Sequence, residues 1–174
     1  MSLDLCVYAA TRDEPRVGDI SKLLGFAGWR WVAVSDGARP RRAERLDRSR
    51  AIGWEASDGI GIGAAVDSAV AAGAAEELAA LGHSVSVIAL EVESPFRPDP
   101  DVISELREEG HEPDLVTRIE EAAACYRFSV DEPATEEAVE FLWALASAVG
   151  VLTGAVLEDL DDGTLLDCTE EDAD

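Results

Sequence analysis

The sequence predicts an α+β fold, on three observations. Residues 3–9, 29–35 and 52–56 alternate apolar and polar positions, as strands with one face on a core do. Apolar residues recur at helical spacing in the stretches that follow two Asp-Glu-Pro tripeptides, and Asp-Gly pairs stand where hairpins turn.

Taken in order, Leu3, Leu5, Val7 and Ala9 alternate with Asp4, Cys6 and Tyr8 and make a first strand. After Asp13-Glu14-Pro15, the residues Val17, Ile20, Leu23 and Leu24 mark a short helix, with Gly25 placed to cap it. The stretches 29–35 and 52–56 read as two hairpin-paired strands joined by a long arm. Val66, Val70, Ala74, Leu78 and Leu81 stripe an Ala-rich helix that Gly82 closes, and residues 85–92 are apolar on both faces, as an interior strand would be. The order β-α-β-β-α-β matches a ferredoxin-like antiparallel sheet with its helices on one face. That arrangement covers residues 1–94 of what reads as a single domain, 1–174.

Residues 95–111 form a proline-rich connector and short helix, since each proline removes a backbone donor and holds its predecessor extended. An α-β-α-β-β segment, 112–168, extends the fold: a helix through Leu115, Val116, Ile119, Ala122 and Ala123, a strand at 126–130, a helix at 138–149, and a hairpin, 153–160 against 164–166, turning at Asp161-Asp162-Gly163. Residues 169–174 are an acidic tail. Strand, Asp-Glu-Pro, helix and Asp-Gly hairpin occur twice; because Asp-Glu-Pro starts helices well and Asp-Gly turns hairpins well, local physics accounts for the echo without a duplication.

Composition limits the function classes. The 174 residues carry 37 Asp and Glu against 14 Lys and Arg, of which Lys22 is the one lysine, for a net charge of −23. Such charge repels itself in the compact state and is tolerated best where concentrated counterions screen it, so the chain reads as a halophile-type acidic protein. Hydrophobic residues make up 47% of the chain, too many for a disordered acidic segment. The start of the chain lacks the basic and apolar regions of a secretory signal, and no run approaches the roughly 18 apolar residues of a membrane helix. Cys6, Cys125 and Cys168 are odd in number and widely spaced, which suits a reducing cytoplasm.

The sharpest local anomaly is residues 39–50, where Arg39, Arg41, Arg42, Arg45, Arg48 and Arg50 stand against Glu44 and Asp47, a balance of +4 that leaves −27 for the rest. Guanidinium forks pair oxyanions bidentately, and Trp29, Trp31 and Trp54 flank the segment, so a polyanion or nucleotide binder with a tryptophan stacking face is one reading. Docking of the arm onto the acidic body, a second copy or a protein partner is the stronger one. Tryptophans on hairpins usually serve cores and interfaces, and phosphate affinity collapses in high salt. Nucleic acid therefore ranks last among the partners.

Other candidates are weaker. Residues 59–64 contain G-x-G-x-x-A, but Ser57-Asp58 interrupts the approach from the strand, Asp58 repels a pyrophosphate, and we read the run as a close-packed helix start with no cofactor. In Asp159-Leu160-Asp161-Asp162-Gly163 a leucine falls where a calcium loop needs an oxygen. His83 and His111 have no metal-ligand spacing, so no metal is expected. Cys6 and Cys125 read as small core residues and Cys168 as exposed. Glu91 and Glu93 end the most apolar strand, where a half-buried acid with a raised pKa could act as a base; with Asp58 they are the candidates of an enzyme alternative. Fold order of this kind serves many unrelated activities. The expectation is a non-catalytic, cytoplasmic protein-interaction or regulatory domain without a membrane span, self-associating or bound to a protein partner. The polyanion binder and a small carboxylate-based enzyme are its alternatives.

Overall fold

A computed structural model describes residues 3–26, 29–30, 40–45, 50–54, 88–130 and 136–169, with the backbone alone described between 29 and 54. Expectations for Trp31, Arg39, Arg48, Asp58, the glycine run 59–64, the helix at 66–82, His83 and the tail beyond 169 lie outside these residues.

The described elements are β1 (Leu3–Ala9), α1 (Val17–Phe26), β2 (Trp29–Arg30), β3 (Pro40–Arg45), β4 (Arg50–Trp54), β5 (Ile88–Glu93), α2 (Pro100–Glu108), α3 (Pro113–Glu120), β6 (Ala124–Val130), α4 (Glu136–Thr153), β7 (Val156–Asp159) and β8 (Leu165–Asp167). The fold is α+β, as the sequence patterns indicate. Its main sheet is antiparallel and runs β5-β6-β1-β7-β8.

This order departs from the ferredoxin-like expectation in two ways. First, β1 pairs with β6 and β7 from the second half of the chain, while β2, β3 and β4 form a separate three-stranded sheet. An inner strand of a sheet covered on both sides has to be apolar on both faces. β1 and β6 come close to that demand, with Asp4, Arg127 and Ser129 as their departures, whereas β3 carries Arg41, Arg42, Glu44 and Arg45 in six residues. Second, helices lie on both faces rather than one. The odd residues of β1 and the even residues of β6, Leu5, Val7, Tyr126 and Phe128 among them, join a core with Ile20 and Leu24 of α1 and Phe141, Leu142 and Leu145 of α4. The alternate residues Cys6, Tyr8 and Cys125 join a second core with Ile103 and Leu106 of α2 and Leu115, Val116 and Ile119 of α3.

The strand expected at 85–92 is placed differently too. β5 is an edge of the described sheet, with Glu91 and Glu93 exposed, because its polar side chains alternate with Leu90 and Val92, which face the first core. The arm expected between two paired strands is itself β3, hydrogen-bonded to β2 on one side and β4 on the other.

Local chemistry explains the ends of α2 and α3. Asp99 caps α2, its carboxylate accepting from the Asp101 N–H at 2.9 Å, with Pro100 in the first turn. Gly110 then turns the chain at φ 81°, a conformation that costs other residues about 1 kcal/mol or more. Arg107 of α2 pairs with Glu120 of α3, and Arg118 of α3 reaches Asp167 of β8 at 2.9 Å and donates to the Gly154 carbonyl at 3.2 Å. These links hold the second helix layer against the sheet's far edge.

Gly150 inside α4 is a packing requirement. A β-carbon there would lie 2.4 Å from the Cys168 Sγ and 3.0 Å from its Cβ. Helix propensity alone would favour alanine by about 1 kcal/mol. Overpacking outweighs it, so Gly150→Ala is expected to lose ~1–3 kcal/mol in denaturant titrations, and Cys168→Ala in the same chain should recover most of that loss. A Gly150→Ala protein more stable than wild type would show that the sulfur moves aside freely.

Candidate functional site

The second face of the sheet is where chemistry gathers. Register sets the neighbours: Cys6 lies opposite Arg127 on one side and Glu158 on the other, Tyr8 lies opposite Cys125, and Cys125 lies opposite Glu93 of β5, one pair along from Glu91 opposite Arg127. Side chains two apart on a strand share a face, so Cys6, Tyr8, Glu91, Glu93, Cys125, Arg127 and Glu158 all belong to this side. The second core covers part of it. Over the β5–β6–β1 corner a cavity of about 450 Å³ remains, closed laterally by the 94–99 connector and the start of α2.

Its floor is Cys6 and Cys125, its apolar wall is Phe96, Val102, Ile103 and Ile119, and its polar wall is Glu91, Glu93, Arg97, Asp99 and Arg127. The connector is fixed in place by the Phe96 N–H, which donates to the Ala123 carbonyl at 3.0 Å, and by the Phe96 ring, whose centroid lies 5.6 Å from that of Tyr8 in a tilted arrangement. Arg127 stands 3.9 Å from an Asp4 carboxylate oxygen, too long for a hydrogen bond, and its side chain is half exposed.

Cys6 and Cys125 are diagonal neighbours across the β1–β6 pair, and their proximity moves their acidities in opposite directions. The Cys125 thiol brings the Cys6 thiol below its usual value, helped by Tyr8 and the Arg127 charge and opposed by burial and Glu158. Cys6, burial and the nearby Glu93 push the Cys125 thiol up. The register puts Arg127 and Glu158 on either side of Cys6 and Glu93 beside Cys125.

On the same face, the Tyr8 hydroxyl donates to Glu158 Oε1 at 2.6 Å. Burial raises the Tyr8 phenol, with Cys6 and Glu158 adding to it. Burial also lifts the Glu158 carboxyl above its ordinary range, although the Tyr8 hydrogen bond pulls it back in part. A carboxyl that holds its proton more tightly folded than unfolded contributes stability fully below the unfolded value and loses it as pH rises through the raised folded value. Glu158→Gln keeps an acceptor for Tyr8 and has no charge to bury, so it is expected to be more stable than wild type at about pH 8 and to lose that advantage at about pH 4. Equal stability differences at both pH values would contradict this burial.

Several sequence-based candidates fall elsewhere. Of the basic segment, Arg41, Arg42 and Arg45 lie on β3 and Arg50 on β4, strands of the small sheet rather than of the sheet that floors the cavity. Backbone register pairs Trp29 with Arg45 and Trp54 with Pro40. Those partners are five residues apart in β3, so positions 29 and 54 fall on opposite faces of the small sheet. Glu91 and Glu93 do reach the cavity, as polar wall. Cys6 and Cys125 are buried as expected, and Cys168 is half-buried rather than exposed, its thiol pushed up to about 11 by burial and Asp167. His111 Nε2 lies 3.0 Å from Glu109.

Tyr8, Phe96, Arg97 and Arg127 had no signal as site residues. The one available sign was that β1 and β6 place cysteines and a tyrosine, rather than fully polar residues, on the face away from their aliphatic one. No helix among the described residues is long and apolar enough to cross a membrane. Fold and site together define an α+β protein with a cysteine-floored cavity on one sheet face. No protein-family model, curated protein or solved structure matches the chain.

Proposed function

We propose that the protein is a non-catalytic regulatory domain that responds to a small zwitterionic molecule held in the cavity over Cys6 and Cys125. One observation carries this reading: the cavity of about 450 Å³ combines apolar lining residues with carboxylates and guanidiniums. Pockets of this size, mostly apolar with a few placed polar groups, suit small ligands. Glu91, Glu93 and Asp99 favour an ammonium group, and Arg97 and Arg127 a carboxylate.

The acidic composition supports a cytoplasmic, counterion-rich setting for this domain. Charge favours docking of the +4 segment 39–50 onto a second copy or another protein over polyanion binding, because the rest of the chain is at −27. Ligand occupancy and self-association are thus the two properties such a domain would couple.

Thermal unfolding with the amino acids, dipeptides and tripeptides as probes tests the reading. A ligand at a hundredfold excess over its Kd stabilises by about 2.7 kcal/mol. One chemical group of zwitterions is expected to raise the wild-type Tm and to leave Val102→Trp unmoved, since Val102 lines the cavity yet is exposed enough for the larger side chain to plug it without disturbing the fold. No stabilisation by any zwitterion, or the same shift in the plugged variant, would overturn it.

A further inference from the structure

We infer that Cys6 is a thiol-exchange site: a small disulfide with amino-acid-like ends enters the cavity, and Cys6 takes one half of it as a stable mixed disulfide. The inference rests on the zwitterion-binding reading and names the ligand class. It stands on three features of the geometry. Cys6 is 7% exposed and lines the cavity floor, so only a molecule seated in the cavity reaches its sulfur. Cys125 is its diagonal neighbour across the β1–β6 pair, and Arg127 lies directly opposite it, a cation that favours the nucleophilic thiolate; Glu158, on the other side, accepts a hydrogen bond from Tyr8. The polar wall presents both charges that the ends of an amino-acid disulfide carry.

The Cys6 thiolate attacks one sulfur of the disulfide R–S–S–R. A new Cys6–S bond forms, the old S–S bond breaks, and its electron pair leaves on the departing thiolate, which takes up the proton Cys6 gave up. Cys6 is oxidised, half of the disulfide is reduced, and the products are Cys6–S–S–R and R–SH. Cys125 does not resolve the adduct. It sits diagonally from Cys6, opposite Tyr8 rather than opposite Cys6. Diagonal Cα positions across an antiparallel pair are about 7–8 Å apart, beyond the span of an unstrained disulfide.

The experiment incubates the full chain with oxidised glutathione, cystine and the uncharged 2-hydroxyethyl disulfide, and follows adducts by intact and peptide mass spectrometry. Cys6 alone is expected to be modified, with a rate that saturates for the two zwitterionic disulfides and not for the uncharged one. Arg127→Gln, a change at a half-exposed position, should slow the zwitterionic reactions by about tenfold while circular dichroism shows the fold retained. Cys168, half-buried with a raised pKa, is the internal control.

Modification of Cys168 before Cys6, an internal Cys6–Cys125 disulfide without adduct, no adduct at all, or rates that rise linearly with every disulfide would overturn the inference. The unreactive S-methylglutathione separates its failure from that of the underlying reading. If this or another zwitterion stabilises the wild type while Cys6 stays inert, exchange is wrong and the pocket stands; if none stabilises it, both fall.

Discussion

Truncating Phe128 to alanine is expected to lower stability by about 3–5 kcal/mol. Phe128 is fully buried on β6, opposite Leu5 of β1 and Leu90 of β5, under the layer formed by α1 and α4. A central strand flanked on both sides has little freedom to collapse onto the space a ring vacates, so the cavity penalty adds to the lost transfer energy. Urea titration of the purified variant measures it. A loss below about 1 kcal/mol would mean that this face is not packed as described.

The second large effect lies on the other side of the same sheet. Ile119→Ala, on α3, is expected to cost about 2–5 kcal/mol, because the side chain is 1% exposed within the core that α2 and α3 make over Cys6, Tyr8 and Cys125. Were α3 not packed on this face of the sheet with residue 119 inward, truncation there would cost no more than about 0.5 kcal/mol. Comparison of the two variants therefore reads both layers separately. Since Ile119 also lines the cavity, its loss should enlarge the site and weaken whatever binds there.

The strands and helices were largely legible in the sequence, and their assembly was not. Alternation at Leu3 to Ala9 identifies β1, and the stripe from Leu115 to Ile119 identifies α3, because local burial writes a period into the chain. Pairing depends on which strands tolerate cover on both faces, and that is decided between elements far apart in sequence. β1 with β6 illustrates it: Cys6, Tyr8 and Cys125 look like the polar side of two half-exposed strands until α2 and α3 cover them.

Strand, helix and hairpin recur in the two halves because local physics favours both, and their assembly differs: β7 and β8 continue the main sheet while β2, β3 and β4 build their own. The arginines of β3 are the physical difference. In the sequence they read as a binding segment, and in the fold they mark a strand unsuited to the centre of a covered sheet.

The cavity was illegible for a related reason. Its residues come from β1, β5, the 94–99 connector, α2, α3 and β6, and no two of those segments announce their meeting by spacing. In the sequence Glu91 and Glu93 stand out only as acids ending an apolar strand. Arg127, which register places beside them and opposite Cys6, gives them a context that no local pattern holds.

The most direct test of the cavity as the working site is a two-dimensional amide NMR titration of the isotopically labelled protein with the amino acid or peptide that gives the largest thermal shift. The account predicts saturable shifts concentrated at Cys6, Tyr8, residues 91–99, Val102, Cys125 and Arg127, and their loss in Val102→Trp. Shifts centred instead on residues 39–50, or spread evenly over the surface without saturation, would contradict it.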